Sequence, residues 1–507
     1  MNLAMLGERN IERFGEYTSL VFEGREFTNV ELQSRGARLA TALAALGVAP
    51  GDRVAVMLPN SPEVGVCYGG ILRTGAIAVP MVFLLAVPEI AHILGDCDAK
   101  VIFTSPEFYG NVKAAIKDLP NPPTVVVTGD APGDPGVLPF DRLLADATDE
   151  HPIVDRDGED LAVVSYTSGT TGRPKGVMLS HANLLFNAEN TSTVAPTRDG
   201  DVSVTGLPLA HLFGIGSSLV IQLFKTKSVV LQWFTVEGFF DAVNRYQATS
   251  SAAVPAMVQL MLAHPGFDDV DWSHFEWIVV AAAPVPVEMA EEFEKRTGSR
   301  VLEGYGLTET SPTATLMRLD DPRKPGSCGR AVPNVELAIL NDDDEPVPTG
   351  EWGEVCIKGP NIMAGYYNMP EETEKALRKG WFHSGDIGHL DDDGFLYITE
   401  RKKDMIIRGG FNIYPRDIEE VLYGHPSIQE CAVVGVPDPT MGEEVQAYVV
   451  LRPGQTATAE ELVERCRAQL AKYKTPKWVS FMDALPKNPV GKILKKDLRE
   501  LAKAEHA

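Results

Sequence analysis

Between Tyr166 and Gly176 the chain reads YTSGTTGRPKG, a concentration of groups suited to holding an anion. Thr167, Ser168, Gly169, Thr170, Thr171 and Gly172 follow a short apolar, strand-like run at 161–166. Glycine lets backbone N–H groups approach anionic oxygens closely, and hydroxyls add further donors. Arg173 and Lys175 flank Pro174 with two fixed positive charges, which suits the negative oxygens of a polyphosphate. A P-loop would close with Gly-Lys-Ser/Thr and run straight into a helix. Neither feature is present, and Pro174 opposes a helical start. By composition alone the stretch also fits a solvated loop. Its order, and the company it keeps, must decide.

Further stretches carry candidate chemistry. Residues 304–310 read GYGLTET, with an aromatic face at Tyr305, a hydroxyl at Thr308 and a carboxylate at Glu309. An aromatic ring suits a purine and a carboxylate suits a hard cation, although a Tyr-Gly turn is commonly only structural. Residues 381–388 read WFHSGDIG, where the pattern predicts a tight turn at Asp386. One carboxylate there can accept from two neighbouring hydroxyls. Residues 400–404 read ERKKD, and 405–415 continue as MIIRGGFNIYP with paired glycines at Gly409 and Gly410. Residues 486–496 read PKNPVGKILKK, with Lys492 directly after a glycine. Residues 207–214 read LPLAHLFG around His211, and 281–284 read AAAP. A lone histidine is more often a core residue, and a lone lysine a solvated one.

Taken together and in this order, the motifs resemble those of the adenylate-forming superfamily, which includes acyl-CoA synthetases, luciferases and the adenylation domains of peptide synthetases. The resemblance covers about residues 10–500. It implies that Thr167 to Gly172 and Lys175 bind nucleotide phosphate. It also implies that Gly304 and Tyr305 bind the nucleotide, with Tyr305 stacked on adenine. Thr308 would lie near phosphate, Glu309 would hold magnesium, Asp386 would accept from both ribose hydroxyls, and Arg401 would meet ribose and phosphate. Lys492 would be the catalytic lysine of adenylation, placed to stabilise charge as pyrophosphate leaves. His211 would sit beside the reacting carboxylate. Gly409 and Gly410 would line the coenzyme A tunnel, and Lys403 would be a hinge. Two positions depart from the pattern. Glu400 replaces a usual glycine, and Ala281 and Ala282 carry methyl groups where relatives often have a glycine pair before Ala-Pro.

The implied activity is an ATP-dependent acyl-CoA ligase, an acid–thiol ligase that uses ATP, Mg2+ and coenzyme A as co-substrate. A medium- or long-chain fatty acid is expected first, then aryl or cinnamate-like acids, then a specialised polycyclic metabolite. Two alternatives stand beside it. One is a relative running a partial or altered cycle, either thioesterification alone or acyl transfer to an amine or carrier protein. The other is a scaffold that has lost its chemistry. Keeping Lys175, Glu309, Asp386, Arg401 and Lys492 argues against the scaffold.

Bulk properties bound the rest. A chain of 507 residues exceeds one core, so at least two domains are expected. A formal charge of −24 argues against nucleic-acid partners and anionic lipid. From Met405 onward 14 basic residues balance 14 acidic ones, so the excess lies earlier. Six scattered cysteines without CxxC spacing predict reduced thiols, not disulfides or a zinc site. The start lacks a signal-peptide pattern, and the charge-free run 202–224 contains Pro208, His211 and Gln222, so no transmembrane segment is expected. A cytoplasmic protein follows as the expectation, and homodimerisation is left open.

The elements that must position these motifs are layered. Strand patterns at 53–58, 76–81, 100–104, 124–127 and 277–283 alternate with helical ones at 30–46 and 287–297. That alternation predicts α/β multidomain architecture, and the resemblance divides its large N-terminal part into two α/β layered subdomains. After Pro325 short strands at 335–340, 353–358 and 395–399 predict a small antiparallel β-barrel. A mobile α+β C-terminal domain follows, with helix 415–423, strands 431–436 and 446–451, and helix 459–471. The expected boundaries are 1–402 for the AMP-binding domain and 403–507 for the C-terminal domain.

Overall fold

The structure is a computed structural model that describes residues 1–167, 174–401, 404–408, 411–470, 472–487 and 493–506. Two large sheets carry most of the N-terminal region. In the first, the order is Gly365–Tyr366, Lys175–Ser180, Leu161–Thr167, Ile77–Pro80, Arg53–Met57, Val101–Thr104, Thr124–Val127 and Leu138–Pro139. Its central strands are parallel and buried on both faces, which is why they read as continuous Val/Ile/Ala runs without alternation. Leu161–Thr167 and Lys175–Ser180 pair antiparallel. Pro174 is therefore followed by a returning strand and not by a helix.

The second sheet has nine strands. Val202–Thr205, Lys227–Val230, Ser250–Ala253, Trp277–Val280 and Arg300–Tyr305 form its parallel centre. The expected strand 277–283 stops at Val280 because Ala282 takes φ +72°, which turns the chain off the sheet. Helix Val287–Thr297 ends as predicted, with Gly298 in the left-handed conformation at φ +75°. A third, antiparallel sheet joins Glu336–Leu340, Gly353–Lys358, Trp381–Leu390, Leu377–Arg378 and Leu396–Arg401. The last sheet holds Ile406–Arg408, Phe411–Ile413, Ile428–Asp438, Gly442–Leu451 and Trp478–Phe481.

This last unit has its own apolar centre around Ile418, Leu422, Val433, Val449 and Leu462. Its helices Pro415–Tyr423 and Ala459–Gln469 match expectation closely. Its two long strands run several residues beyond the expected ends, because Glu443 and Glu444 join the ladder opposite Pro437 and Val436. Among the described residues no helix is long and apolar enough to cross a membrane. The charge-free run 202–224 instead forms a strand, Val202–Thr205, and a helix, Leu212–Gln222.

Candidate active site

A cleft of about 1690 Å³ opens where the sheets meet, and most of the described candidate residues border it. Lys175 enters at the first residue of its strand, opposite Thr167 across the hairpin. Its ammonium donates to Glu372 Oε2 at 2.5 Å and lies 5.0 Å from the centre of the Tyr366 ring. Tyr366 donates its hydroxyl to Glu309 Oε1 at 2.9 Å. The strand Gly365–Tyr366 is held beside Val177 and Met178. One line of polar contacts, Glu372–Lys175–Tyr366–Glu309, thus joins two motifs that are far apart in sequence. Hydrogen bonds from Lys175 and then Lys375 hold the Glu372 carboxyl down at about 2, so at neutral pH it is ionised against the lysine.

A second line joins Tyr305 to Asp386. The Tyr305 hydroxyl donates to Asp386 Oδ2 at 2.6 Å, and Asp386 is buried. Burial, followed by the neighbouring Asp386 charge, pushes the phenol well above its ordinary range. Asp386 does not occupy the tight turn expected of it. It lies inside the ten-residue strand Trp381–Leu390, directly after Gly385 at φ +70° and next to irregular register on both sides. The Ser384 hydroxyl accepts from Asp386 N at 3.0 Å and donates to Val355 O at 2.6 Å. The SGD sequence reads as a turn, but its glycine serves a kink within a strand.

The GYGLTET segment is shaped by close backbone approaches. Gly306 could carry no Cβ, since one would lie 1.8 Å from Pro312 O. At Gly304 a Cβ would meet Leu316 Cδ1 at 2.9 Å and face Ala281 Cβ at 3.9 Å. Thr308–Thr310 form one 3-10 turn, and Thr308 and Glu309 both border the cleft. His211 caps helix Leu212–Gln222 by accepting from Phe213 N through Nδ1 at 3.2 Å. Desolvation lowers its pKa, so the ring is neutral at the cavity wall. Ala282, where the resemblance expects glycine, keeps the left-handed conformation that glycine prefers.

Arg401 is described in its backbone, where it pairs with Asp386 across the sheet. Ser168, Gly169, Thr170, Thr171 and Gly172 lie outside the described residues, as do Lys403, Gly409, Gly410 and Lys492. Sequence reasoning missed Glu372, Tyr366 and Glu303. Glu303 is 5% exposed, and burial raises its carboxyl to about 7 against the lowering influence of Arg323 and Arg416. Nothing in the local spacing marks these three, because each gains its role from partners distant in the chain.

None of the six cysteines is joined in a disulfide. Cys356 stands out because its Sγ is 3.3 Å from His383 Nδ1, which in turn is 3.4 Å from Glu354 Oε2. These three buried groups could in principle surround a cation, a grouping that the cysteine spacing did not foreshadow. A cation of the protein's own is already there. Arg378 lies 3.7 Å from Glu354 and holds Asp344 through two nitrogens.

With this geometry in view, two family signatures match the chain. That of the AMP-binding enzymes covers residues 7–367, and that of the AMP-binding enzyme C-terminal domain covers residues 417–492. A feruloyl-CoA synthase of Amycolatopsis sp is 39% identical over 484 residues, covering 95% of each chain. A long-chain-fatty-acid–CoA ligase of Bacillus subtilis is 36% identical, covering 97% of this chain and 93% of its own. Among solved structures, an anthranilate CoA ligase in complex with anthranoyl-AMP superposes with TM-score 0.95 at 29% identity, covering 100% of this chain and 98% of its own. The chain belongs to the AMP-binding enzyme family, within the adenylate-forming superfamily, and is an acid–thiol ligase.

Proposed function

We propose that this enzyme joins a carboxylic acid to ATP, releasing pyrophosphate, and then passes the acyl group from acyl-AMP to the thiol of coenzyme A. The observation that carries the reading is the pair of polar lines at one cleft. Lys175–Tyr366–Glu309 supplies a phosphate and metal side, and Tyr305–Asp386 supplies a nucleoside side. A phosphoanhydride provides the driving force, so the work left to the protein is positioning and charge stabilisation. Lys175, relieved of Glu372, would meet phosphate oxygens. Glu309 would hold Mg2+, and a carboxylate beside a phosphate-facing cation suits that hard ion. Magnesium, when bound, neutralises phosphate charge.

On the nucleoside side Asp386 would accept from the ribose hydroxyls, with Tyr305 fixing the carboxylate while its ring meets adenine. Arg401 would reach ribose and phosphate. Thr308, with Thr167 and the 168–172 loop, would add donors to phosphate, and Lys492 would act during adenylation only. His211, neutral at the wall, would orient the reacting carboxylate. Residues 1–402 would form the adenylation domain and 403–507 a domain that turns about Lys403 to bring Gly409 and Gly410 to the thiol. The acid would be apolar over most of its length, of the fatty or aryl kind. A carboxylic-acid panel read by pyrophosphate release without coenzyme A tests the proposal. Release with at least one such acid, followed by thioester on adding coenzyme A, is expected. Transfer only to amines or to a carrier protein would contradict it.

A further inference from the structure

Resting on that ligase reading, we infer that the acid this enzyme prefers carries an oxygen function at the end remote from its carboxylate. The cleft does not stop at Ala281 and Gly304. It continues down one face of the second sheet, against helices His181–Val194 and Leu212–Gln222, to Ser203, Ser250 and Trp277. Those three residues sit in one register row, Ser203 beside Ser250 and Ser250 beside Trp277. From Ala281 to Trp277 the strand rises about 13 Å at the usual 3.3 Å per residue. An extended chain advancing roughly 1.2 Å per bond reaches that row with about ten to twelve atoms.

The row is chemically out of place. Strands of a parallel sheet covered on both faces are ordinarily apolar, and the next row's Val204 and Ile278 are fully buried in the apolar core on the opposite face. Ser250 and Trp277 are themselves 3% and 7% exposed. Neighbouring hydroxyls are satisfied within the protein, Ser251 by Val204 O and Thr226 by Ile221 O. Among the described residues no hydrogen bond is made by the Ser203 or Ser250 hydroxyl or by the Trp277 indole N–H, and all three residues line the cavity. A methyl terminus would leave them desolvated and unpaired, which is costly for buried polar groups.

Indole N–H only donates, and hydroxyls donate or accept. The fitting partner is therefore an acceptor oxygen, a hydroxyl or a carbonyl. Asp201, at the same end of the cavity, disfavours a second carboxylate. The class assigned is an acid of about ten to twelve carbons whose far end bears a neutral oxygen, with an aliphatic or a hydroxyaryl body.

Pyrophosphate release by the full-length enzyme, compared for dodecanoate, ω-hydroxydodecanoate and dodecanedioate, tests this. The expected kcat/KM is at least about tenfold higher for the hydroxy acid than for the other two. A hydroxyaryl alkanoate of equal length distinguishes the two bodies, and a preference for either one over dodecanoate supports the assignment. Ser250→Ala and Trp277→Phe, each checked for an intact melting transition, should draw the hydroxy-to-methyl ratio towards unity. If Trp277→Phe does not fold, Ser250→Ala carries this arm. Equal or better use of dodecanoate, a preference for the diacid, or an unchanged ratio in a folded variant overturns the inference and leaves the ligase reading standing. Absence of release with every acid overturns both.

Discussion

Asp386 and Tyr305 are 81 residues apart, and the half-buried phenol donates to the buried carboxylate. Removing the carboxylate therefore does more than weaken nucleotide binding, because it takes away the acceptor of a half-buried phenol. Asp386→Ala should lower ATP affinity in calorimetry by roughly 1.5–3 kcal/mol per lost charged hydrogen bond. It should lower the melting temperature of the free enzyme too. Tyr305→Phe keeps the ring and should cost less of both; the reverse order would contradict the assigned partnership. Glu303 gives a pH prediction. Its carboxyl is raised from the ordinary 4.5 to about 7, so the folded state holds a proton that the unfolded state releases. That contribution is fully present below about 4.5 and is lost as pH rises through about 7. Across this window wild type should lose up to about 3 kcal/mol relative to Glu303→Gln in urea titrations. Parallel pH profiles for the two proteins would refute the buried protonated carboxyl.

At the scale of elements, the sequence was readable where a signal is local and unreadable where it depends on distant partners. Parallel strands such as Arg53–Met57 announce themselves as unbroken apolar runs, and Gly298 marks the end of its helix. The motifs were legible because their residues are contiguous. Lys175 meeting Glu372 and Tyr366 meeting Glu309 were not, since only the fold brings those segments together. Asp386 was misplaced in a turn because Ser-Gly-Asp is turn chemistry, yet the strand absorbs it as an irregularity. Tight backbone approaches likewise escape local patterns. Gly306 reads as a flexible residue, but it is where Pro312 O leaves no space for a side chain. Gly306→Ala must displace that backbone, which places it among the overpacking changes that cost roughly 1–3 kcal/mol or more. It should also misplace Thr308 and Glu309. Thermal melts together with pyrophosphate release should both fall, and a stable, fully active variant would show that the close approach is not needed.

For the whole molecule, the proposal is that one small domain serves two reactions in turn. Lys492 and the Gly409–Gly410 pair belong to the same C-terminal segment and are assigned to different steps, so the domain must rotate between them. Lys403→Pro, which would fix φ near roughly −65° and remove an N–H donor, should keep one half-reaction and lose the other, most readily thioester formation. A variant completing the cycle at the wild-type rate would place the hinge elsewhere. Lys492→Ala should lose adenylation by roughly two or more orders of magnitude while still converting supplied acyl-AMP to thioester. Equal loss of both steps would contradict that division.

A single-turnover quench experiment tests directly whether the reaction runs in two steps through acyl-AMP at one cleft. Enzyme in excess over radiolabelled ATP is mixed with a saturating accepted acid and Mg2+, without coenzyme A, and then chased with coenzyme A. Acyl-AMP should accumulate in step with pyrophosphate and then convert to acyl-CoA and AMP on the chase. Thioester forming only when all substrates are present together, with no acyl-AMP at any time, would contradict the two-step reaction.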